Sequence, residues 1–159
     1  MSMRILVVCS GNTCRSPLAA AMLADRVARH PELAGTIVAS AGTSAWPGAP
    51  ASDGSLLVAL ERGIDLSAHR SRQLSAELVH AADMVLVMGV AHRQRVNELG
   101  GANRTHLLSR FGSDTDAADV PDPFGGSVEA YRETADAFDA MLDGVMARLL
   151  ADPSARRAP

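Results

Sequence analysis

Short apolar runs of strand length alternate with amphipathic, helix-length stretches along most of this chain. Four runs have the length and composition of buried strands: 4–8 (RILVV), 36–40 (TIVAS), 83–88 (DMVLVM) and 105–108 (THLL). Apolar spacing and helix-end signals predict helices over 16–30, over 53–62, from 75, over 91–99 and from 127 onward. This alternation predicts an α/β fold, a single-domain three-layer sandwich in which helices cover both faces of a four-stranded parallel sheet.

Serine, proline and glycine mark several of the predicted helix ends. Ser16 followed by Pro17 is typical of a helix N-cap and a first helical position. Gly63 directly follows a predicted helix, as expected of a C-terminal cap. The last helix is expected to end the domain, which we predict to span 1–152, with a disordered tail over 153–159.

The carboxyl ends of the strands are the expected place for a binding site. In an open parallel sheet, ligands bind beyond those ends, and the first such end in this chain is at Cys9. A second candidate is the connection over 111–126, because loops of this length in a compact domain are usually functional. These two segments are therefore the candidate positions for catalytic or binding residues.

Composition excludes several classes of function. The chain has 159 residues, 47% of them hydrophobic, which is enough for one core without disulfide or metal staples. Aromatic residues make up 3%, the net charge is −3 and no basic cluster occurs, so we expect no nucleic-acid partner and no membrane partner. No signal peptide or membrane span is evident, and we expect a cytoplasmic protein. All basic residues are arginines, which excludes Schiff-base chemistry, pyridoxal phosphate attachment and a Walker A lysine.

Segment 9–16 has the features of an anion-binding loop. Its residues are Cys9, Ser10, Gly11, Asn12, Thr13, Cys14, Arg15 and Ser16. Peptide N–H groups between a strand and a helix N-terminus form a nest for an anion such as phosphate, which a nearby arginine can grip with its planar fork. Gly11 and Asn12 tolerate the positive φ that a tight loop requires. A cysteine at the floor of such a loop is expected to be a reactive thiolate.

The same residues have other interpretations. Cys9 can be a buried core thiol, since cysteine is among the most buried residue types, and a Cys followed six residues later by Arg often occurs by chance. A zinc site has too few ligands here. The five histidines are isolated in sequence and are interpreted as structural or solvated rather than as ligands. The strand before the loop and the helix start after it favour the anion-binding interpretation, without metal or cofactor.

Two motifs resemble one known family. VCSGNTCRSP resembles the phosphate loop of the low-molecular-weight protein tyrosine phosphatases, and DPFGGS resembles their general-acid loop. The order of elements agrees to about Leu150. The resemblance implies a four-stranded parallel sheet flanked by helices, phosphorylated protein substrates, a phosphate or other oxyanion in the active site, and a monomer.

The resemblance also implies catalytic roles. Cys9 would be the nucleophile, Arg15 the phosphate and transition-state clamp, and Asp122 the acid and then the base. Asp119 is the alternative acid, but Asp122 precedes Pro123 and is therefore the better positioned of the two. Calcium binding by the acidic series 114, 116 and 119 is disfavoured, because the glycine and distal glutamate of an EF-hand are missing.

Supporting roles follow from the same family pattern. Ser16 would assist the thiolate, and Asn12 would hold the strained loop through hydrogen bonds, with Ser40 and His69 as partners. The alternatives are that Ser40 simply ends a strand and that His69 is a solvated loop residue.

The substrate depends on three positions. Thr13 stands where phosphotyrosine-specific members usually have a bulky aliphatic residue, and Phe124-Gly125 stands where they have an aromatic pair. Thr13 with DPFGGS resembles the bacterial protein arginine phosphatases of this family, so phosphoarginine is favoured over phosphotyrosine. Trp46 favours tyrosine if it contacts a substrate ring, and is neutral if it packs on Pro47 and Pro50. A pocket difference of one methylene or hydroxyl often changes selectivity by only about 1–3 kcal/mol.

Two further questions concern the class of enzyme and Cys14. An arsenate reductase would need another cysteine after Cys14, and a non-catalytic phosphate-binding module would need neither the thiol nor the acid. Cys14 is predicted to form a reversible disulfide with Cys9, provided their Cα atoms come within about 7 Å. The alternative is that Cys14 is a small apolar residue packed under the loop.

Overall fold

A computed structural model describes residues 3–112 and 119–151 of the chain. Four strands and five α-helices follow one another in these residues: β1 (Arg4–Cys9), α1 (Arg15–Ala28), β2 (Ile37–Gly42), α2 (Asp53–Glu61), α3 (Ala76–Ala81), β3 (Met84–Val87), α4 (Val90–Glu98), β4 (Thr105–Leu107) and α5 (Val128–Ala151). Short 3₁₀ turns lie at Pro31–Leu33, Ala102–Arg104 and Leu108–Phe111. The predicted tail over 153–159 lies outside the described residues.

The strands form one parallel sheet in the order β2-β1-β3-β4. β1 is therefore central, and five of its six residues are buried, as expected for a continuous apolar run covered on both faces. Ile5 and Val7 face the cluster formed with α1, α2 and α5, whereas Leu6 and Val8 face the cluster formed with α3 and α4. The predicted three-layer α/β sandwich is confirmed.

The predicted N-cap of α1 is wrong by two positions. The helix begins at Arg15 after Cys14, which makes no side-chain capping bond, so Ser16 is the second helical residue. The Ser16 hydroxyl instead contacts Cys9 and Asn12. Pro17 is tolerated at the third position because first-turn N–H groups have no intrahelical acceptor. The first turn of α1 thus remains open towards the loop that precedes it.

Helix ends elsewhere agree with the sequence signals. Gly63 follows α2 with φ of 75°, and Gly100 follows α4 with φ of 99°, both in the left-handed region that glycine favours. Ser75 accepts a hydrogen bond from the backbone N–H of Leu78 and caps α3. These residues fix the direction in which the chain enters α3 and leaves α2 and α4.

Candidate active site

The loop between β1 and α1 surrounds the sulfur of Cys9 with hydrogen-bond donors. Cys9 is the last residue of β1 and its side chain is buried. The backbone N–H of Asn12 lies 3.3 Å from its Sγ, and the hydroxyl of Ser16 lies 2.9 Å from it. Both groups can donate a hydrogen bond to the sulfur. Such an arrangement can hold a nucleophile at the floor of a concave loop, as predicted for Cys9.

Asn12 holds the loop in shape through a buried hydrogen-bond network. It has φ of 57° and is the one non-glycine residue with positive φ among the described residues. Its amide nitrogen donates to Ser16 Oγ at 2.8 Å and to Ser40 Oγ at 2.9 Å, and its amide oxygen accepts from the backbone N–H of Arg72 at 3.0 Å. His69 Nε2 lies 2.7 Å from the Asn12 carbonyl oxygen, to which it donates. The structure thus brings Ser40 and His69 to Asn12.

The direction of the hydrogen bonds at Ser16 follows from Asn12. Ser16 Oγ accepts a hydrogen from the Asn12 amide, so its own hydrogen remains available for Cys9 Sγ. The Asn12 amide thus donates to the Ser16 hydroxyl, and the Ser16 hydroxyl donates to the sulfur of Cys9.

Arg15 is a buried cation with one unpartnered donor. Its Nη1 donates to the carbonyl oxygen of Val120 at 2.9 Å, and its Nη2 lies 3.6 Å from Asp122 Oδ2. Its Nε is buried and has no hydrogen-bond partner among residues 3–112 and 119–151. Buried polar groups in native proteins are nearly always paired, so the orphaned N–H indicates a ligand that accepts hydrogen bonds. A phosphoryl group over the Cys9 loop has the matching charge and acceptor atoms.

The two candidate acids occupy different environments. Asp122 has a side chain that is 50% exposed, accepts from the backbone N–H of Phe124 at 3.1 Å and faces Arg15. Asp119 accepts instead from the backbone N–H of Val90, at 2.9 Å, and so caps the first turn of α4. Asp122 is therefore the carboxyl available to a substrate, while positions 114 and 116 lie outside the described residues.

A second loop is fastened to the rim of the site. The backbone N–H of Thr43 donates to the Cys9 carbonyl oxygen and that of Ser44 to the Ser10 carbonyl oxygen, both at 2.9 Å. Gly42 permits this approach, because a Cβ there would overlap the Ser10 carbonyl oxygen. Trp46 belongs to the same loop and follows Ser44 by two residues.

Three side chains predicted to affect substrate choice lie on exposed or half-buried loops. Trp46 is 82% exposed and Phe124 is 73% exposed, while Thr13 is half-buried within the phosphate loop. So high an exposure leaves little of the Trp46 ring to pack on Pro47 and Pro50. Both aromatic rings are free to contact a substrate.

Cys14 is a buried free thiol, as is Cys9. Its Sγ lies 3.5 Å from the hydroxyl of Tyr131 on α5, and the hydroxyl of Ser55 donates to its carbonyl oxygen at 3.0 Å. Burial and the contact with Cys14 both raise the pKa of Tyr131 above its ordinary value. Tyr131 therefore remains a neutral phenol beside the thiol.

Sequence reasoning missed His92, which was interpreted as structural or solvated. The residue lies in the first turn of α4, is buried, and places its Nε2 2.8 Å from Ser10 Oγ. Its position five residues beyond the end of β3, the neighbour of β1, is the signal that could have indicated it. Burial, together with the positive charge of Arg15, lowers the pKa of His92.

The fold and loop define an α/β protein with a candidate anion site at the carboxyl end of its central strand. Residues 4–155 match the family model described as low molecular weight phosphotyrosine protein phosphatase, and the chain belongs to this family. The predicted family and the predicted phosphatase class are thereby confirmed.

The relatives are named for phosphatases of two different residues, arginine and tyrosine. The chain is 41% identical to a protein-arginine-phosphatase of Geobacillus stearothermophilus, over 94% of this chain and 97% of the relative. It is 37% identical to the probable low molecular weight protein-tyrosine-phosphatase EpsP of Ralstonia nicotianae, over 92% of this chain and 96% of the relative. Both similarities extend over nearly the whole of each chain.

A solved structure of an arginine phosphatase is also similar to this chain over nearly its whole length. The YwlE arginine phosphatase, in a mutant that carries a phosphorylated active-site serine, is 34% identical and superposes with a TM-score of 0.87. The match covers 96% of this chain and 99% of that one. Within the described part of the present chain, no helix has the length and apolar content needed to cross a membrane.

Proposed function

We propose that this protein hydrolyses phosphorylated side chains of proteins, phosphoarginine first among them, through a phosphocysteine on Cys9. The observation that carries the proposal is the buried guanidinium of Arg15, whose Nε lacks a partner within the described residues. It belongs to the same short loop that surrounds Cys9 Sγ with donors. An anion bound there would be gripped by the arginine while its phosphorus faces the sulfur.

The first step transfers the phosphoryl group to the enzyme. The Cys9 thiolate attacks the phosphorus in line with the leaving group, forming the S–P bond as the bond to the substrate nitrogen or oxygen breaks. Asp122 gives its proton to that leaving atom. Arg15 and the loop N–H groups stabilise charge on the equatorial oxygens, where fixed electrostatics contributes most.

The second step regenerates the enzyme. Asp122, now a carboxylate, takes a proton from water, which attacks the phosphorus and breaks the S–P bond. The products are inorganic phosphate and the Cys9 thiolate, and Asp122 is again protonated. No cofactor or metal enters the proposed scheme. The relative with a phosphorylated active-site serine supports a covalent enzyme intermediate.

The choice of phosphoarginine depends on Thr13. Its small polar side chain at the rim suits a guanidinium, and one carboxyl oxygen of Asp122 can accept a hydrogen bond from the same group while the other oxygen carries the proton that is donated. The similarity to a protein-arginine-phosphatase supports this choice. The exposed rings of Trp46 and Phe124 favour the second candidate, phosphotyrosine, because they can contact a phenyl ring.

A kinetic comparison tests the substrate. We expect kcat/KM of the wild-type protein to be higher on a phosphoarginine peptide than on a phosphotyrosine peptide of the same sequence. Thr13→Ile, which adds bulk, should change the ratio of the two values towards phosphotyrosine by about 10- to 200-fold. Thr13→Val, which keeps the volume and removes the hydroxyl, is the matched control that separates polarity from size. An unchanged ratio in both variants would exclude Thr13 as the selecting residue.

We also propose that Cys14 protects Cys9 by forming a reversible disulfide with it. Both thiols are reduced and buried in the described structure and belong to one short loop. Peroxide-inactivated wild-type protein should regain activity on treatment with a thiol, whereas Cys14→Ser should not, because its Cys9 would proceed to irreversible acids. Equal recovery of the two proteins would contradict the proposal. Action as a monomer in the cytoplasm stays a prediction, to be checked by sedimentation and cell fractionation.

A further inference from the structure

His92 is a buried titratable group that the proposed mechanism does not use, and it contacts the loop residue next to the nucleophile. It belongs to α4, which follows β3, and β3 pairs with β1 in the sheet. The imidazole Nε2 lies 2.8 Å from the hydroxyl oxygen of Ser10. The inference below rests on the proposed function, because it assigns these two residues a part in binding the phosphorylated substrate.

The position of the imidazole proton follows from the other ring nitrogen. His92 Nδ1 is buried and has no hydrogen-bond partner in the described parts of the chain. A proton on Nδ1 would leave a buried N–H without an acceptor, which is rarer in native proteins than an acceptor without a donor. A proton on Nε2 instead donates to Ser10 Oγ. The geometry therefore favours the Nε2–H tautomer.

The charges around His92 favour the neutral ring. Burial is the largest influence and the positive charge of Arg15 acts in the same direction, and together they lower the pKa of the imidazole. The carboxylates of Asp119 and Asp122 oppose this shift without reversing it. The ring is accordingly neutral at pH 7, with one proton to donate.

Ser10 then has a hydroxyl hydrogen available. Its oxygen accepts from His92 Nε2, and its own hydrogen has no acceptor within residues 3–112 and 119–151. Ser10 is half-buried in the loop where the anion would bind, directly after Cys9. We propose that His92 is a positioning residue, which orients the Ser10 hydroxyl as a hydrogen-bond donor to the phosphoryl group of the substrate.

A double-mutant cycle tests the coupling of these two residues. Ser10→Ala and His92→Phe should each lower kcat/KM on a phosphorylated peptide by about tenfold, the effect of one hydrogen bond to a charged group. The double variant should lose no more than either single variant, because both changes remove the same donor. His92→Gln, whose amide can still donate to Ser10, should recover activity to within about threefold of wild type.

Binding of inorganic phosphate gives a second readout that needs no turnover. By calorimetry, Ser10→Ala and His92→Phe should each weaken phosphate binding by about tenfold, and again without further loss in the double variant. Multiplicative losses in the cycle, or single variants that bind phosphate as well as wild type, would overturn the assignment. A wild-type protein that binds phosphate but hydrolyses no phosphorylated substrate would instead overturn the proposed function.

A spectroscopic test on the wild-type protein does not require that the Ser10 and His92 variants fold. A long-range ¹H–¹⁵N correlation spectrum distinguishes the two neutral tautomers and the imidazolium. We expect the Nε2–H tautomer of His92 at pH 7, and its persistence below pH ~6.5, where an exposed histidine becomes charged. An Nδ1–H tautomer or an imidazolium at pH 7 would refute the proposed role even if every variant misfolded.

Discussion

Asp119 and Asp122 have the same side chain and differ in what surrounds it. Asp119 is occupied by the backbone N–H of Val90 at the start of α4, whereas Asp122 faces the guanidinium of Arg15 at the rim of the site. A general acid must be positioned near the leaving atom before its protonation matters. From these contacts we expect Asp119 to have a structural part, and we propose Asp122 as the general acid.

Substitution should separate these two parts. Asp122→Asn should lower kcat on a poor leaving group by about 100-fold or more, because the proton donor is lost. On para-nitrophenyl phosphate the first step should be affected less, since that leaving group needs no proton. Asp119→Ala should instead lower the free energy of unfolding by about 1 kcal/mol, as loss of a helix cap does.

The comparison of the two aspartate variants needs kinetics on both substrates and urea denaturation. A large loss of kcat in Asp119→Ala, together with near wild-type activity in Asp122→Asn, would reverse the assignment of the acid.

The phosphate loop depends on an asparagine in a left-handed conformation. Asn12 links three separate parts of the chain, because its amide contacts Ser16 on α1, Ser40 on β2 and the backbone N–H of Arg72. Asparagine adopts positive φ more readily than most residues and its side chain is fully hydrogen-bonded here. The loop is therefore shaped by elements far from it in sequence.

Two substitutions at Asn12 separate backbone strain from the hydrogen bonds. Asn12→Gly and Asn12→Ala should both lower activity by about tenfold or more, because Ser16, Ser40 and the Arg72 N–H lose a buried partner. Asn12→Ala should be about 1–2 kcal/mol less stable than Asn12→Gly, since a Cβ at this φ is strained. Urea denaturation measures the difference. Equal stability of the two variants would show that φ at this position carries no strain.

At the scale of the whole molecule, the alternation of short apolar runs with amphipathic stretches was sufficient to predict the sheet and the helices that cover it. Residues 5–8 and 84–87 of the predicted runs are buried on both faces of the sheet, so burial and sequence pattern agree there. The start of α1 was misplaced because the signal of Ser16 and Pro17 is local, while the Ser16 hydroxyl is used by Cys9 and Asn12. Tertiary contacts overrode a local preference.

The sequence predicted those parts of the candidate site whose residues belong to one continuous motif. The loop 9–16 and the segment DPFGGS could be recognised, because each is continuous in the chain. His92 and Tyr131 could not, since they contact Ser10 and Cys14 from distant helices. A single histidine gives no periodic or spacing signal, and only packing reveals its partner.

The covalent step on Cys9 is the central claim, and trapping the intermediate tests it most directly. Asp122→Asn should be mixed with para-nitrophenyl phosphate, quenched rapidly and analysed by mass spectrometry, because the variant forms the S–P bond but lacks the base for its hydrolysis. We expect a mass increase of one phosphoryl group on the peptide that contains Cys9, and no increase and no turnover in Cys9→Ala. Turnover by Cys9→Ala, or catalysis by wild type without any phosphorylated cysteine, would contradict the account.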